Sequence, residues 1–134
     1  MAEKLLLEVV TPDRKLLSAE ADVVVLPGVE GQFGILYGHV PFLSALEIGE
    51  MYYRDGGKTE FLSVSGGFAE VTGKKVIIVA EAAEVGKEID IERAKRALER
   101  AEKRMAMSRT ENLDWARAEA ALRRAIMRMK VSGR

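Results

Sequence analysis

In the segment KVIIVAEAAEVGKEIDIERAKRALERA, residues 75–101, the sequence pattern changes from that of strands to that of helices. Its first six residues are mostly β-branched, which is typical of a strand. From Asp90 onward, apolar residues instead recur at steps of three and four, which is the period of an amphipathic helix. We therefore predict that strands precede Gly86 and that helices follow it.

The residues before this change are predicted to form many short strands. All 12 glycines except Gly133, and all three prolines, lie before residue 88, and they separate apolar runs as turn residues do. Asp55-Gly56-Gly57 lies between two such runs and predicts a β-hairpin. Short strands about ten residues apart, with no helix between them, favour an antiparallel sandwich or barrel. The predicted strands are Leu5 to Val10, Asp22 to Leu26, Thr59 to Val64, Gly67 to Val71 and Lys75 to Ala80.

The residues after the change are predicted to form two amphipathic helices. Asp90 and Asn112, or Asp114, are the expected N-caps. The short polar segment Ser108-Arg109-Thr110-Glu111 predicts the connection, so we expect an antiparallel helical hairpin. Its apolar stripes are mostly Ala and Met, and because Ala buries little area, we expect the hairpin to be weakly held. The stripe residues are Ala94, Ala97, Leu98, Ala101 and Met105, then Trp115, Ala118, Leu122, Ala125, Ile126 and Met129.

Composition and charge exclude several classes of protein. The 134 residues include no cysteine, which rules out disulfides, thiolate zinc sites and a cysteine nucleophile. No apolar run approaches the length of a membrane span, and the N-terminus does not resemble a signal peptide, so we expect a soluble, cytoplasmic protein. Residues 1–88 carry 8 Lys+Arg against 14 Asp+Glu, whereas residues 89–134 carry 13 against 7. The basic half can bind nucleic acid, a phosphate ligand, an acidic protein surface or the acidic half of its own chain.

No constellation of catalytic residues is apparent. His39 is the one histidine of the chain, and beside Gly and Pro we interpret it as a turn residue rather than a general base. One histidine with scattered carboxylates lacks the spacing of metal ligands. Gly28, Gly31 and Gly34 do not match either common phosphate-loop motif. The sequence therefore predicts neither an enzyme nor a metalloprotein.

The arginines of the helical half are the strongest candidate binding residues. Arg93 follows Asp90 by one turn, and Arg100 shares the helix face of Arg93. Arg124 and Arg128 share a face of the second helix. Folding the hairpin brings the four guanidinium groups toward one another, which is costly unless an anion lies between them. Two interpretations stay open, a phosphate or nucleotide site and a solvated charged face with local ion pairs.

Seven motifs in order resemble those of the ε subunit of bacterial F-type ATP synthases, to which the chloroplast ε subunit is similar. Each is weak alone, but together they extend from Leu6 to about Met129, nearly the whole chain. Gln32 stands where the family commonly has Glu, and Tyr37 replaces the usual Pro. The motifs are Val9-Val10-Thr11-Pro12-Asp13-Arg14, Gly31-Gln32-Phe33-Gly34-Ile35-Leu36, Gly38-His39-Val40-Pro41-Phe42-Leu43, Ser65-Gly66-Gly67-Phe68-Ala69-Glu70-Val71, Ala80-Glu81-Ala82-Ala83-Glu84, Ile89 to Ala94, and Trp115-Ala116-Arg117-Ala118-Glu119.

The resemblance implies a fold and a function. Residues 1–86 would form a flattened antiparallel β-sandwich of about ten strands, and residues 87–134 a regulatory two-helix hairpin. The protein would be a non-catalytic rotor subunit of the central stalk that couples c-ring rotation to γ. Its hairpin would block ATP hydrolysis when extended and release the enzyme when folded. The complex would lie at the cytoplasmic face of the cell membrane, which the chain would meet only through the c-ring.

The resemblance also implies partners and contact residues. The partners would be the γ subunit, the c-ring, and the β and α subunits. No cofactor is required, but ATP is the expected regulatory ligand of the folded hairpin. We expect c-ring contacts at Glu30, Gly31, Gln32 and Phe33, γ contacts at Gly38, His39, Val40 and Pro41, and nucleotide contacts at Glu84, Ile89, Asp90, Arg93, Ala94, Arg100, Arg124 and Arg128.

An alternative function is that of a β-sandwich with a basic helical arm that binds nucleic acid. The arm carries 13 basic residues, but acidic residues are interleaved with them. Trp115 is the single tryptophan and the one aromatic side chain there that can stack on a base. We therefore prefer the stalk-subunit interpretation and expect no nucleic-acid partner.

Overall fold

The computed structural model describes residues 3–111 and 115–134, with side chains for residues 3–107 and 115–134. The described chain forms eight strands followed by helices. The strands are β1 (Leu5–Val10), β2 (Lys15–Ala21), β3 (Val23–Gly28), β4 (Gly31–Leu36), β5 (Phe42–Asp55), β6 (Lys58–Val71), β7 (Lys75–Ala80) and β8 (Ala83–Val85). A 3₁₀-helix (Gly86–Glu88), α1 (Ile91–Glu111) and α2 (Trp115–Ser132) follow.

The strands form a β-sandwich whose two layers share β5 and β6. These two strands of 14 residues each pair antiparallel along their length. Residues 67–71 of β6 pair with β7, whereas residues 62–64 pair with β8, so the halves of β6 lie in different layers. The hydrogen-bonded order is β2-β1-β7-β6-β5-β3-β4, with β8 also on β6. Because β5 and β6 each serve both layers, the described strands supply ten strand segments, and the sandwich prediction is confirmed.

Two glycines let β6 pass from one layer to the other. Gly66 and Gly67 have φ angles of 80° and 124°, in a region that favours glycine. A Cβ on Gly67 would lie 2.1 Å from the carbonyl oxygen of Val79. The predicted strands Thr59 to Val64 and Gly67 to Val71 are therefore one strand, and the break predicted between them was wrong because these glycines bend the strand without ending it.

The core between the layers follows the two-residue period of the strands. On β1, Leu5, Leu7 and Val9 are fully buried while the residues between them face outward. The hairpin turn predicted at Asp55-Gly56-Gly57 is confirmed between β5 and β6. The edge strands β2 and β4 were not predicted because their sequences, KLLSAEA and GQFGIL, contain glycine or charged residues and few β-branched ones.

The two helices form the predicted antiparallel hairpin. The backbone N–H of Arg93 donates to Asp90 Oδ1 at 3.1 Å, which confirms Asp90 as the N-cap of α1. Ile89 and Val131 share a small buried cluster, so the start of α1 lies beside the end of α2. The alanines of the predicted stripes are confirmed as buried at Ala94, Ala101, Ala118 and Ala125. Placing Trp115 and Ile126 on the buried stripe was wrong, because they are 47% and 48% exposed.

The connection between the helices is not where the sequence predicted it. Helix α1 continues to Glu111, so assigning Ser108-Arg109-Thr110-Glu111 to the connection was wrong. This segment contains no Gly or Pro, and Arg and Glu are good helix formers, so local propensity lets the helix continue. The other expected N-caps, Asn112 and Asp114, lie outside the described residues.

The hairpin is docked on the sandwich through α2. This helix packs on β5, on β6 and on the 3₁₀-helix. Gly86 permits the close approach, because a Cβ there would lie 2.9 Å from Val131 Cγ1 and 3.0 Å from the carbonyl oxygens of Phe61 and Val131. The docked position places the middle of the hairpin over the outer face of β6 and β8.

Candidate functional site

A cavity of about 360 Å³ lies between the docked hairpin and the sandwich. The hairpin wall is built from α1 and α2, and the sandwich wall from β6, β8 and the residues just before β8. Four arginines line the hairpin wall, together with short alanine side chains that leave the space open. The polar lining residues are Arg100, Arg104, Arg124 and Arg128 on the hairpin, and Ser63, Ser65 and Glu84 on the sandwich.

Helical spacing explains why the arginines meet. Arg100 and Arg104 are four residues apart on α1, and Arg124 and Arg128 are four residues apart on α2, so each pair shares a helix face. The alanine seam lets the two helices approach closely beside these faces. Four arginines against the single carboxylate among the described lining residues give the cavity a strong positive charge. Such a lining suits a ligand with several negative charges.

Glu84 and Arg128 form an ion pair across the cavity. Arg128 Nε lies 2.5 Å from Glu84 Oε1, and Arg128 Nη2 lies 3.3 Å from Glu84 Oε2. The two side chains are 21% and 39% exposed, for Arg128 and Glu84 respectively. The pair therefore ties α2 to β8 at the edge of the cavity.

Half of the predicted nucleotide-binding residues line this cavity, namely Glu84, Arg100, Arg124 and Arg128. The others form the start of α1. Ile89 and Ala94 are buried in the cluster with Val131, whereas Asp90 is exposed and caps the helix. The Arg93 side chain is exposed and does not line the cavity, although the sequence predicted that it would join the other three arginines.

Three polar residues of the cavity were not predicted from the sequence. Arg104 lies four residues after Arg100, so its helical spacing was a signal that it shares that face. Ser63 and Ser65 carried no such signal, because only the pairing of β6 in the folded sheet places them opposite the helices.

Two further arginines link the hairpin half to β5. Arg123 Nη2 lies 2.8 Å from Glu47 Oε2. The Arg134 guanidinium donates to both Glu50 oxygens, at 2.8 and 2.9 Å, and lies 5.0 Å from the centre of the Phe61 ring. The hydrogen bond with Glu50 raises the pKa of Arg134. The basic half of the chain thus contacts its acidic half, which is one of the contacts the charge pattern allowed.

The residues predicted to contact the c-ring lie at the turn between β3 and β4. Val29 and Glu30 connect the two strands, and Gly31 has a φ angle of 130°. A second recess, of about 550 Å³, is lined by this turn. All four predicted residues, Glu30, Gly31, Gln32 and Phe33, contribute to its lining.

The residues predicted to contact γ lie in the neighbouring loop between β4 and β5. The Gly38 N–H donates to the carbonyl oxygen of Gly73 at 2.6 Å, which fixes this loop on the turn between β6 and β7. His39 packs beside Phe42, with 5.0 Å between ring centres, and lines the second recess. Val40 is strongly exposed and, like Pro41, lies outside the recess lining.

Across residues 3–111 and 115–134, no three His, Asp or Glu side chains are grouped as metal ligands. Neither described helix combines the length and the apolar character needed to cross a lipid bilayer.

Two protein-family models match consecutive parts of the chain. Residues 4–86 match the β-sandwich domain of the ATP synthase delta/epsilon chain. Residues 87–133 match the long α-helix domain of the same chain.

Related proteins match the sequence over almost its full length. The chain is 54% identical over 133 residues to the ATP synthase epsilon chain of Nitratidesulfovibrio vulgaris strain DP4, covering 99% of this chain and 98% of the relative. It is 52% identical over 132 residues to the ATP synthase epsilon chain of Syntrophobacter fumaroxidans, covering 98% of each. Its fold matches a chain in the cryo-EM structure of the Euglena gracilis mitochondrial ATP synthase OSCP/F1/c-ring in rotational state 1. That match has a TM-score of 0.75 and 26% identity and covers 94% of this chain and 79% of the other.

Proposed function

The chain belongs to the ATP synthase delta/epsilon chain family as an ε subunit of the central stalk, and we propose that its hairpin regulates ATP hydrolysis. The sandwich is proposed to couple c-ring rotation to γ without catalysing a reaction. Support comes from near full-length relatives named as ε chains and from a structural match within an F1/c-ring complex. In this role the chain lies at the cytoplasmic face of the membrane and meets the membrane only through the c-ring.

The observation that carries the regulatory proposal is the position of the arginine-lined cavity. Its walls come from both the hairpin and the sandwich, so the cavity exists only while the hairpin is docked. A ligand that contacts both walls loses contacts when the hairpin extends. Such a ligand therefore shifts the population toward the docked state by its differential affinity. We propose that this ligand is ATP, whose triphosphate carries several negative charges.

The eight residues predicted to bind the nucleotide take two roles in this proposal. Arg100, Arg124 and Arg128 bind the phosphates, because their guanidinium groups can form paired hydrogen bonds with phosphate oxygens. Arg104 joins them on the same wall. Glu84 lies at the sandwich side, where it holds Arg128. Ile89 and Asp90 lead into α1, and Arg93 and Ala94 lie in its first turn, which positions Arg100 two turns further on.

The contacts of the hairpin are weak enough for it to change between the docked and the extended position. The seam between its helices is rich in alanine, and Arg123 and its partner Glu47 are both more than 40% exposed. Exposed ion pairs contribute little net free energy, and alanine buries little area. The docked and extended positions can therefore differ by a small free energy, which a bound ligand can overcome.

The partner contacts are proposed at the end of the sandwich that carries the second recess. We assign Glu30 to Phe33 to the c-ring and Gly38 to Pro41 to γ, since both loops are exposed and adjacent there. In the extended position, the arginines of the hairpin would contact the β and α subunits. The alternative nucleic-acid function is disfavoured, because Arg123 and Arg134 are already paired with glutamates of the sandwich.

Nucleotide titration of the full chain tests the regulatory proposal. Spin labels on α2 and β5 report the distance between hairpin and sandwich, and calorimetry reports the affinity. We expect ATP to narrow the distance distribution toward the docked value. Arg124→Ala is expected to weaken ATP binding about tenfold or more, as loss of a charge-assisted hydrogen bond does. The matched control, Arg14→Ala in the exposed turn between β1 and β2, should bind as the wild type does. No change in distance up to millimolar ATP would contradict the proposal.

A further inference from the structure

The residues that follow α2 bring Arg134 onto the outer face of the sandwich. The backbone N–H of Arg134 donates to the carbonyl oxygen of Val131 at 3.1 Å, which holds the chain in a tight turn at the end of the helix. The Arg134 guanidinium donates to both Glu50 oxygens, at 2.9 and 2.8 Å, and lies 5.0 Å from the centre of the Phe61 ring. We refer to these contacts of Arg134 with Glu50 and Phe61 as the Arg134 contact.

The Arg134 contact differs from the Arg123–Glu47 pair in burial and in geometry. The Glu50 side chain is 12% exposed, whereas both side chains of the Arg123–Glu47 pair are more than 40% exposed. A guanidinium that donates two hydrogen bonds to one carboxylate and also lies over an aromatic ring is held more firmly than one in an exposed ion pair. We therefore expect the Arg134 contact to contribute more to docking than the Arg123–Glu47 pair.

The Arg134 contact is separate from the arginine-lined cavity. Arg134 and Phe61 line another recess, of about 340 Å³, and neither Arg134 nor Glu50 lines the cavity. The Arg128–Glu84 pair, in contrast, lies in the cavity lining, where an anionic ligand can compete for the guanidinium. The Arg134 contact can therefore hold the hairpin on the sandwich whether or not the cavity contains a ligand.

We propose that the Arg134 contact keeps the hairpin docked while the cavity is empty and so sets how often the hairpin extends without ligand. This inference rests on the proposed function, in which the hairpin changes between the docked and the extended position. Loss of the contact raises the extended fraction, and more ligand is then needed to restore the docked one. The regulation thus depends on a residue that lies outside the ligand site.

Thiol modification of a single engineered cysteine measures undocking of the hairpin in the full chain. The chain has no native cysteine, and Ser63, which is 5% exposed, lines the cavity beneath the docked hairpin. In Ser63→Cys, the rate of reaction with a bulky maleimide follows the undocked fraction, because the docked hairpin covers the thiol. We expect Arg134→Gln, made in this background and without ligand, to speed up the reaction about tenfold or more, the loss expected for hydrogen bonds to a charged group. Arg134→Lys keeps the charge but not the paired geometry and should have a smaller effect.

Three further variants separate the Arg134 contact from general charge effects and from unfolding. Arg123→Gln is the matched control, because it also removes an arginine paired with a β5 glutamate, and it should change the rate by about twofold or less. Glu50→Gln should speed up the reaction, and adding it to Arg134→Gln should have little further effect, since both remove the same contact. A Val24→Cys thiol, fully buried in the sandwich core, reports global unfolding and should stay unreactive in every variant.

The outcomes distinguish failure of the Arg134 contact from failure of the proposed function. A measurable Ser63→Cys rate that is unchanged in Arg134→Gln, or that rises equally in Arg123→Gln, would overturn the role of the Arg134 contact alone. A Ser63→Cys thiol that reacts as fast as an exposed Ser18→Cys thiol would also overturn it, because the hairpin would then not be held docked. A Ser63→Cys thiol as unreactive as Val24→Cys in every variant would overturn the two-position hairpin, and with it the proposed regulation.

Discussion

Individual arginines of the second half have different roles that their spacing alone does not distinguish. Arg93 and Arg100 share a helix face, yet Arg100 lines the cavity and Arg93 lies exposed beside the capped start of α1. Arg128 and Arg134 each hold a glutamate of the sandwich by two hydrogen bonds. The role of each arginine therefore depends on which strand faces its turn of the helix.

Glu8 is predicted to make the stability of the protein depend on pH. It lies on β1 between Lys15 of β2, at 3.6 Å, and Lys75 of β7, at 3.2 Å. The hydrogen bond from Lys75 holds the pKa of Glu8 below its ordinary value. Because the folded pKa is lowered, the ionised group stabilises the fold above the unfolded pKa, and this contribution is lost as the pH falls through the folded pKa.

We expect Glu8→Gln to lower the urea midpoint at pH 7 and to match the wild type once the pH falls below the folded pKa of Glu8. Most of the convergence should occur below about pH 4, near the ordinary range of a glutamate. Urea denaturation at a series of pH values measures the effect. Glu70→Gln, at an exposed position of β6, is the control. A difference from the wild type that stays constant down to pH 3 would show that the ion pairs of Glu8 do not contribute.

The hairpin packs tightly on the sandwich at one point. Gly86 lies against Val131 near the end of α2, and the Arg134–Glu50 pair lies beside it, over Phe61. Elsewhere the interface includes the open cavity, the exposed Arg123–Glu47 pair and the part-buried Arg128–Glu84 pair. The docked position of α2 therefore depends strongly on the absence of a side chain at Gly86.

Gly86→Ala is predicted to release the end of α2 from the sandwich. The added Cβ would lie within about 3 Å of Val131 and of backbone oxygens, and such overpacking costs about 1–3 kcal/mol. We expect hydrogen exchange of α2 amides to speed up by about tenfold or more while the β1 and β7 amides stay protected. Gly57→Ala is the matched control, because no heavy atom lies within 4 Å of its added Cβ. Unchanged hydrogen exchange of the α2 amides in Gly86→Ala would contradict the prediction that the contact at Gly86 keeps α2 docked.

For the whole molecule, opposite charges on the two halves favour the docked arrangement. The acidic strand half and the basic helical half meet through three Arg–Glu pairs among the described residues, Arg123–Glu47, Arg128–Glu84 and Arg134–Glu50. The cavity between the halves carries excess positive charge, which an anionic ligand would neutralise. The Arg–Glu pairs thus favour docking of the hairpin, and the positive charge of the cavity favours binding of an anionic ligand.

Removal of the hairpin tests the regulatory role in the complete enzyme. We expect an ATP synthase assembled with a chain truncated after residue 88 to hydrolyse ATP about twofold faster or more, as release of a substantially inhibited population requires. Hydrolysis assays compare this enzyme with one that contains the full chain. The control is an equal amount of each chain bound to the complex, measured by gel densitometry. Equal rates would contradict inhibition by the hairpin.

Features that depend on neighbouring residues could be predicted from the amino-acid sequence. The change from strand to helix near Gly86, the turn at Asp55-Gly56-Gly57, the Asp90 cap and the alanine seam all follow from local spacing and backbone preference. The ordered motifs also identified the family, because they extend over nearly the whole chain.

Contacts between residues far apart in the chain could not be predicted and are seen first in the folded structure. Register across β5, β6 and β8 places Ser63 between Glu50 and Glu84, and docking of α2 brings Arg124 and Arg128 over that row. These contacts join residues tens of positions apart, so their formation depends on strand pairing and packing that no local pattern specifies. The helical period predicts which arginines share a face. Which strand that face contacts depends on how the sandwich and the hairpin pack together.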